Sequence, residues 1–278
     1  MGLRIRSNVA SLAVQRNLRG ADEAQQHEFA KLSSGKRIIK SADDAAGLGI
    51  AKKMEAEVRG LKMAQRNANN GIAMIQVAEG GLQESSNILT RLRELSIQSS
   101  SDTVGQREKG YLDLEFQQLT QELDRISKST TFSGQAMLTG ENENGVMEIQ
   151  VGASAGDMNR ISFDTSSTNA TLEGLGLEGT NILDKESSLE NLAIVDEAID
   201  RVAGFRANFG AIQARLQTAV NNLDVQALNQ ENARSVIEDV DIAESTSRVA
   251  SQGIIKQAGI QTLSQANNIP RSALQLIG

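Results

Sequence analysis

From Ala45 to Ser99 the apolar positions recur with the period of a helical seam. Ala68, Ile75, Leu82 and Leu89 are spaced by seven, and Gly71, Ala78, Ser85 and Leu92 each follow three residues later. A repeat with one large and one mostly small position predicts a long helix in close contact with another helix. At about 1.5 Å per residue it would extend for roughly 80 Å. Ser41-Ala-Asp-Asp44 ahead of it reads as a capping box. After a polar connection from Ser99 to Gly110, Leu112, Phe116, Leu119, Leu123 and Ile126 predict a second helix. A third carries Leu192, Val195, Ile199, Val202, Phe205, Phe209, Ile212, Leu216, Ala219 and Leu223, with Ser187-Ser-Leu-Glu190 as its cap.

Between the second and third repeats the period changes. Thr130 to Gly145 reads as loop. Met147, Ile149 and Val151 then alternate with Glu148 and Gln150, and Ile161 and Phe163 flank Ser162. With Gly152, Gly156 and Asp157 between them, these segments predict a β-hairpin near 146–163. Residues 164–188, rich in Ser, Thr, Asn and Gly, are expected to form a short surface linker.

Both ends are thinner in apolar residues. The first 32 residues offer Leu3, Ile5, Val9, Leu12, Val14, Leu18, Phe29 and Leu32 before Ser33-Ser-Gly35 breaks the pattern. A last segment from about Ala233 offers Val240, Ala243, Ser247, Ala250 and Ile254; Pro270 is expected to interrupt it before Leu274, Leu276 and Ile277. So few apolar side chains do not offset the entropy of ordering a helix by itself. The two ends are therefore expected to pair and to become ordered on assembly. The fold class is mainly α: a long antiparallel helical bundle or coiled coil with a small β-hairpin. Residues 1–44 and 236–278 would form paired terminal arms, and 45–235 the bundle.

Composition sharpens this picture. Among 278 residues there is no Trp, one Tyr, six Phe and one Pro, which fits long helices better than a turn-rich compact fold. A net charge of −7 without a basic block excludes a typical nucleic-acid interface. With no Cys there is neither a disulfide nor a thiolate site. No apolar run reaches membrane-span length, and the N-terminus lacks the apolar core of a Sec-type signal.

Candidate chemistry fails on inspection. His27 has no second His for a metal or a catalytic pair, and reads as a solvated or interface residue. Asp43-Asp44 sits where anionic side chains favour a helix start. Gly47-Leu-Gly49 has no preceding strand and so is no dinucleotide loop. Neither an enzyme nor a cofactor is expected.

Several blocks resemble bacterial flagellin. On the N-terminal side they are Leu32-Ser-Ser-Gly-Lys-Arg-Ile38, Ser41-Ala-Asp-Asp-Ala-Ala-Gly-Leu48, Arg66-Asn-Ala-Asn-Asn-Gly-Ile72 and Gln76-Val-Ala-Glu-Gly80. On the C-terminal side they are Glu231-Asn-Ala-Arg-Ser235, Ile237-Glu-Asp239 and Gln265-Ala-Asn267 with Pro270. The resemblance spans about residues 1–165 and 185–278. It implies a secreted subunit of the flagellar filament that polymerises with itself, its terminal arms paired as a coiled coil. It also implies type III export, a flagellar secretion chaperone on the C-terminal arm, and contact with cap and hook-associated proteins. The segment 164–188 is too short for the outer domains of larger relatives.

Leu89-Thr-Arg-Leu-Arg-Glu-Leu95 is similar to the helix gripped by the vertebrate Toll-like receptor for flagellin. On that similarity Arg91, Leu95 and Glu115 are contact residues, with Thr90 a departure from the pattern. Leu95 is expected to be covered by a neighbouring subunit in the filament. Leu12, Leu82, Leu89, Leu216 and Ile254 are the expected assembly seams. Alternatives are a hook–filament junction protein, which shares the terminal helices, and a cytosolic helical scaffold, which would not need weak arms.

Overall fold

A computed structural model describes residues 7–140 and 145–275, with side chains described as far as Ile269. Leu3, Ile5, Leu276 and Ile277, the side chain of Leu274, and the 141–144 part of the expected loop lie outside the described residues. The chain divides into two compact units, Glu57–Leu228, and Met1–Ala56 with Asn229–Gly278. Helix α1 is Val9–Ser34, α2 is Ala45–Ser100 and α3 is Gln106–Ser129. Four short strands follow, β1 (Thr131–Phe132), β2 (Gln135–Ala136), β3 (Val146–Gln150) and β4 (Arg160–Asp164). Then come α4 (Leu172–Leu175), α5 (Lys185–Glu238) and α6 (Ile242–Gln275).

In the unit Glu57–Leu228 the heptad seams form the core. Ala68, Ile75, Leu82, Leu89 and Leu92 are fully buried, as are Phe116, Leu123, Val195 and Leu216. Helices α2 and α5 run antiparallel: Gln65 donates to Asp224 and Arg93 to Asp196, with Gly71 beside Leu216 between these pairs. The expected hairpin is present as β3 and β4, with Ile149 opposite Ile161 and Met147 opposite Phe163. Ile161 and Phe163 are buried while Arg160, Ser162 and Asp164 face out, the period-2 alternation of a half-covered strand.

Two segments expected to be irregular are packed. Within 130–145, β1 and β2 form a tight hairpin across Ser133 and Gly134, both at positive φ (52° and 84°), as a two-residue type I′ turn requires. The chain leaving it buries Met137 and Leu138 completely or nearly so. The segment 164–188 is not a surface linker. Thr165, Thr168, Ala170, Leu175, Leu177 and Ile182 are all buried. Its polar groups are satisfied locally and by neighbouring segments: Thr165 Oγ1 and N both donate to the Gly145 carbonyl, Thr171 Oγ1 caps α4, and Ile182 N donates to Asp113 Oδ1 at 2.9 Å.

The caps also differ from expectation. Asp44, not Ser41, caps α2, its Oδ1 accepting Gly47 N at 2.8 Å. Helix α5 begins at Lys185, ahead of Ser187, and the Ser188 hydroxyl donates to the Asp184 carbonyl inside the first turn. Helix α5 continues to Glu238, so the break falls after Ala233. Pro270 does not end α6, which runs on to Gln275. A proline there withholds the N–H that would serve the Ala266 carbonyl. Asn8 Nδ2 donates to that carbonyl instead, at 2.8 Å.

Candidate assembly interface

The terminal unit is organised around two helix breaks that lie side by side. Gly35, at φ 69°, ends α1 in the left-handed conformation that suits glycine. Arg37 N then donates to the Glu238 carbonyl at 2.7 Å, and Val240 N to the Gly35 carbonyl at 3.0 Å. These bonds form an antiparallel bridge between Lys36 and Asp239. Asp43 Oδ2 accepts the Lys40 and Ile39 N–H groups, and Oδ1 lies 3.2 Å from His27 Nε2. The backbone donors of Lys40 and Ile39 hold the Asp43 carboxyl below its ordinary value. Asp241 Oδ1 accepts from Ala243 N and Glu244 N to start α6. The single histidine is thus tied to the turn before α2.

Beyond the breaks α1 and α6 pack against each other in antiparallel order. The inward face of α1 carries Ser11, Val14, Leu18, Ala21, Gln25, Glu28 and Leu32. The inward face of α6 carries Ser245, Val249, Gln252, Lys256, Gly259, Leu263 and Ala266. Both rows keep the seven-residue repeat, with Val14, Leu18 and Leu32 on α1 and Val249 and Leu263 on α6 set among small and polar side chains. Ser11 Oγ donates to Asn267 Oδ1, Lys256 pairs with Asp22 at 2.6 Å, and Ser245 Oγ donates to Glu28 at 2.8 Å. Leu18 fills the place a side chain at Gly259 would need.

This row replaces the one expected for α6. Ala243, Ser247 and Ala250 are exposed, and Ile254 is 68% exposed. Where small and polar residues occupy most positions, apolar spacing does not select one heptad frame; the observed frame carries the polar pairs and the Leu18–Gly259 fit.

Among the described residues, eight other large apolar side chains of the two helices are exposed, away from the α1–α6 contact. Val9, Leu12 and Phe29 are exposed on α1, Leu12 by 62%. Ile242, Ile254, Ile255, Ile260 and Ile269 are exposed on α6. Consecutive helix residues lie about 100° apart, so Ile254 and Ile255 put apolar surface on different sides of α6. A helix that is apolar on several sides belongs in an environment that surrounds it.

The expected seam residues thus fall into two groups. Leu82, Leu89 and Leu216 are core of the bundle unit, whereas Leu12 and Ile254 are outward. Arg91 and Glu115 come together: Arg91 Nε and Nη2 donate to Glu115 Oε1 at 2.9 and 2.8 Å, and Nη1 donates to Glu94. The Glu115 and Glu94 hydrogen bonds hold the guanidinium above its ordinary value. Leu95 does not join them on the surface. It is fully buried in its own chain, because it follows the seam residue Leu92 by three on the core-facing side. Sequence reasoning passed over Asn8, Asp22, Glu28, Lys256 and Gly259. Asn8 carried a signal, an Asn directly before a helical run; the others matter only once the partner helix is in place.

Among the described residues no group of three His, Cys, Asp or Glu side chains is placed to hold a metal, and no helix is long and apolar enough to cross a membrane. The architecture is that of a helical protein with a well-packed bundle unit and terminal helices that expose large apolar groups. Comparison with known proteins agrees. The model of the bacterial flagellin N-terminal helical region matches residues 5–143, and that of the C-terminal helical region matches 192–277. Flagellin of Halalkalibacterium halodurans is 37% identical over 273 residues, covering 98% of this chain and 99% of that protein. The flagellar filament 33 kDa core protein of Treponema phagedenis is 37% identical over 283 residues, with 98% and 99% covered. The crystal structure of Bacillus cereus flagellin superposes with a TM-score of 0.51 at 28% identity, covering 61% of this chain and 94% of that one. The chain belongs to the bacterial flagellin family, and it is a structural subunit of the flagellar filament.

Proposed function

We propose that the chain polymerises through the outward faces of α1 and α6, with Leu12 and Ile254 among the groups buried by neighbouring copies. The observation that carries this reading is that, among the described residues, eight large apolar side chains of α1 and α6 are exposed while their mutual seam holds only five. Neighbouring subunits would supply the apolar burial that the α1–α6 contact lacks. Seeding the purified chain with short filament fragments and following growth by electron microscopy tests it. Elongation should occur with the intact chain and stop when residues 242–278 are removed; equal growth of the truncated chain would refute the reading.

Family membership supports the finer expectations. The filament, whether external, sheathed or periplasmic, would be reached by type III export, with a flagellar secretion chaperone holding α6 and with cap and hook-associated proteins as assembly partners. Recognition by the vertebrate Toll-like receptor would rest on the exposed Arg91–Glu115 pair, with Leu95 acting from beneath as core. In a receptor reporter assay Arg91→Ala should then reduce the response about tenfold or more. An unchanged response would remove the site.

A further inference from the structure

We propose that Asn8 and Pro270 together form a register lock that fixes how α6 lies along α1. Within a helix every carbonyl is normally served by the N–H four residues on. Pro270 lies inside α6 and has no N–H, so the Ala266 carbonyl is left without its helical donor. Ala266 is buried, 6% exposed, so an unserved carbonyl there is costly. One side chain meets that need. Asn8 Nδ2 donates to Ala266 O at 2.8 Å, while Asn8 Oδ1 accepts Ser11 N at 3.0 Å and caps α1. A single amide thus terminates one helix and repairs the other. Ser11 Oγ, donating to Asn267 Oδ1 at 2.8 Å, adds a second bond beside it.

The seam's other register marks are the Leu18–Gly259 fit and the Glu28–Ser245 and Asp22–Lys256 pairs, of which the last is partly exposed and so weak. The Ala266 carbonyl is different: its missing donor marks one place along α6, and only the observed register brings Asn8 there. This role of Asn8 is one of positioning, and it does not depend on what the outward faces bind.

The absence of Cys makes a direct test available in the full-length chain. A Leu18→Cys/Gly259→Cys pair reports the observed register, since a Cβ at Gly259 would lie 3.4 Å from Leu18 Cγ. Leu18→Cys with Gln252→Cys, or with Ala266→Cys, reports slides of one heptad either way. After mild thiol oxidation the first pair should crosslink in preference to the other two. Asn8→Asp keeps the capping oxygen and removes the donor; it should lower the in-register preference about threefold to tenfold, the range of one buried hydrogen bond. Pro270→Ala restores a backbone donor to Ala266, and in that background Asn8→Asp should change the preference less than twofold. Equal effects of Asn8→Asp in both backgrounds, no effect in either, or no preference in the parent chain would overturn the lock.

Discussion

Lys36 Nζ lies 2.5 Å from Glu238 Oε1, joining residues 202 apart at the two points where the long helices break. The pair is asymmetric. The Glu238 carboxylate is 3% exposed, whereas the Lys36 side chain is 40% exposed. Removing the lysine strands a buried carboxylate, with Arg234 Nη1 3.8 Å away as its remaining cation. Removing the carboxylate's charge lets the ammonium turn to water.

Lys36→Ala is therefore expected to destabilise the terminal unit by about 1–3 kcal/mol. Glu238→Gln should cost less than about 1 kcal/mol, because the amide oxygen still accepts and the lysine is partly solvated. Amide hydrogen exchange at the end of α5 measures both. A larger loss of protection in Glu238→Gln would contradict the account.

Gly80 and Gly81 are adjacent in α2 and should respond oppositely to alanine. A Cβ at Gly80 meets nothing within 4 Å, so Gly80→Ala should stabilise by up to about 1 kcal/mol through helix propensity. At Gly81 it would stand 2.6 Å from Thr130 Oγ1 and 2.9 Å from Leu138 Cδ1. Leu138 is fully buried and Thr130 Oγ1 is bonded to the Ile126 carbonyl, so neither yields easily. Gly81→Ala should cost about 1–3 kcal/mol net by overpacking. Thermal unfolding of the two variants decides it.

Ala68, Ile75, Leu82 and Leu89 announced a buried seam because large side chains at a constant interval leave one choice of inward face. Ile161 and Phe163 announced a strand in the same way. In 164–188 the signal was diluted: Leu175, Leu177 and Ile182 are spread among Thr, Asn and Gly whose polar groups are satisfied by local turns and by neighbouring segments. In α6 it was ambiguous, since Ala243, Ser247 and Ala250 suit a seam as well as Ser245, Gln252 and Gly259 do. The passage of α6 through Pro270 depends on Asn8, 258 residues from the carbonyl it serves, a relationship without a local trace. For the same reason Leu95 looked available: its burial follows from the bundle packed over it.

Glu28 makes the α1–α6 contact sensitive to acid. Burial alone would raise its pKa, but hydrogen bonds from Lys31 and Ser245, with the charges of Lys31 and Arg248, outweigh that and hold it below its ordinary 4.5. Lys31 approaches from α1, and Ser245 and Arg248 from α6. A depressed carboxylate stabilises the folded form above its unfolded value and loses that contribution as pH falls through the folded one. The in-register crosslink of α1 and α6 should thus weaken below about pH 4.5, and Glu28→Gln should flatten that dependence. A parent and variant with the same acid profile would rule Glu28 out.

The division between a self-sufficient bundle and terminal helices that wait for neighbours is the central claim, and three charge insertions test it most directly. Leu216 is fully buried in the bundle, while Leu12 and Ile254 are 62% and 68% exposed on the terminal helices. Leu216→Asp should lower monomer stability by several kcal/mol, about 3 or more, since a charge replaces a core side chain. Leu12→Asp and Ile254→Asp should leave monomer unfolding within about 0.5 kcal/mol of the parent and stop seeded growth. The measurement is denaturant unfolding of the monomer together with filament elongation from seeds, made on the same preparations. Normal melting with blocked elongation in the two exposed-site variants is the predicted result. Normal elongation, or a loss of monomer stability matching that of Leu216→Asp, would contradict the account.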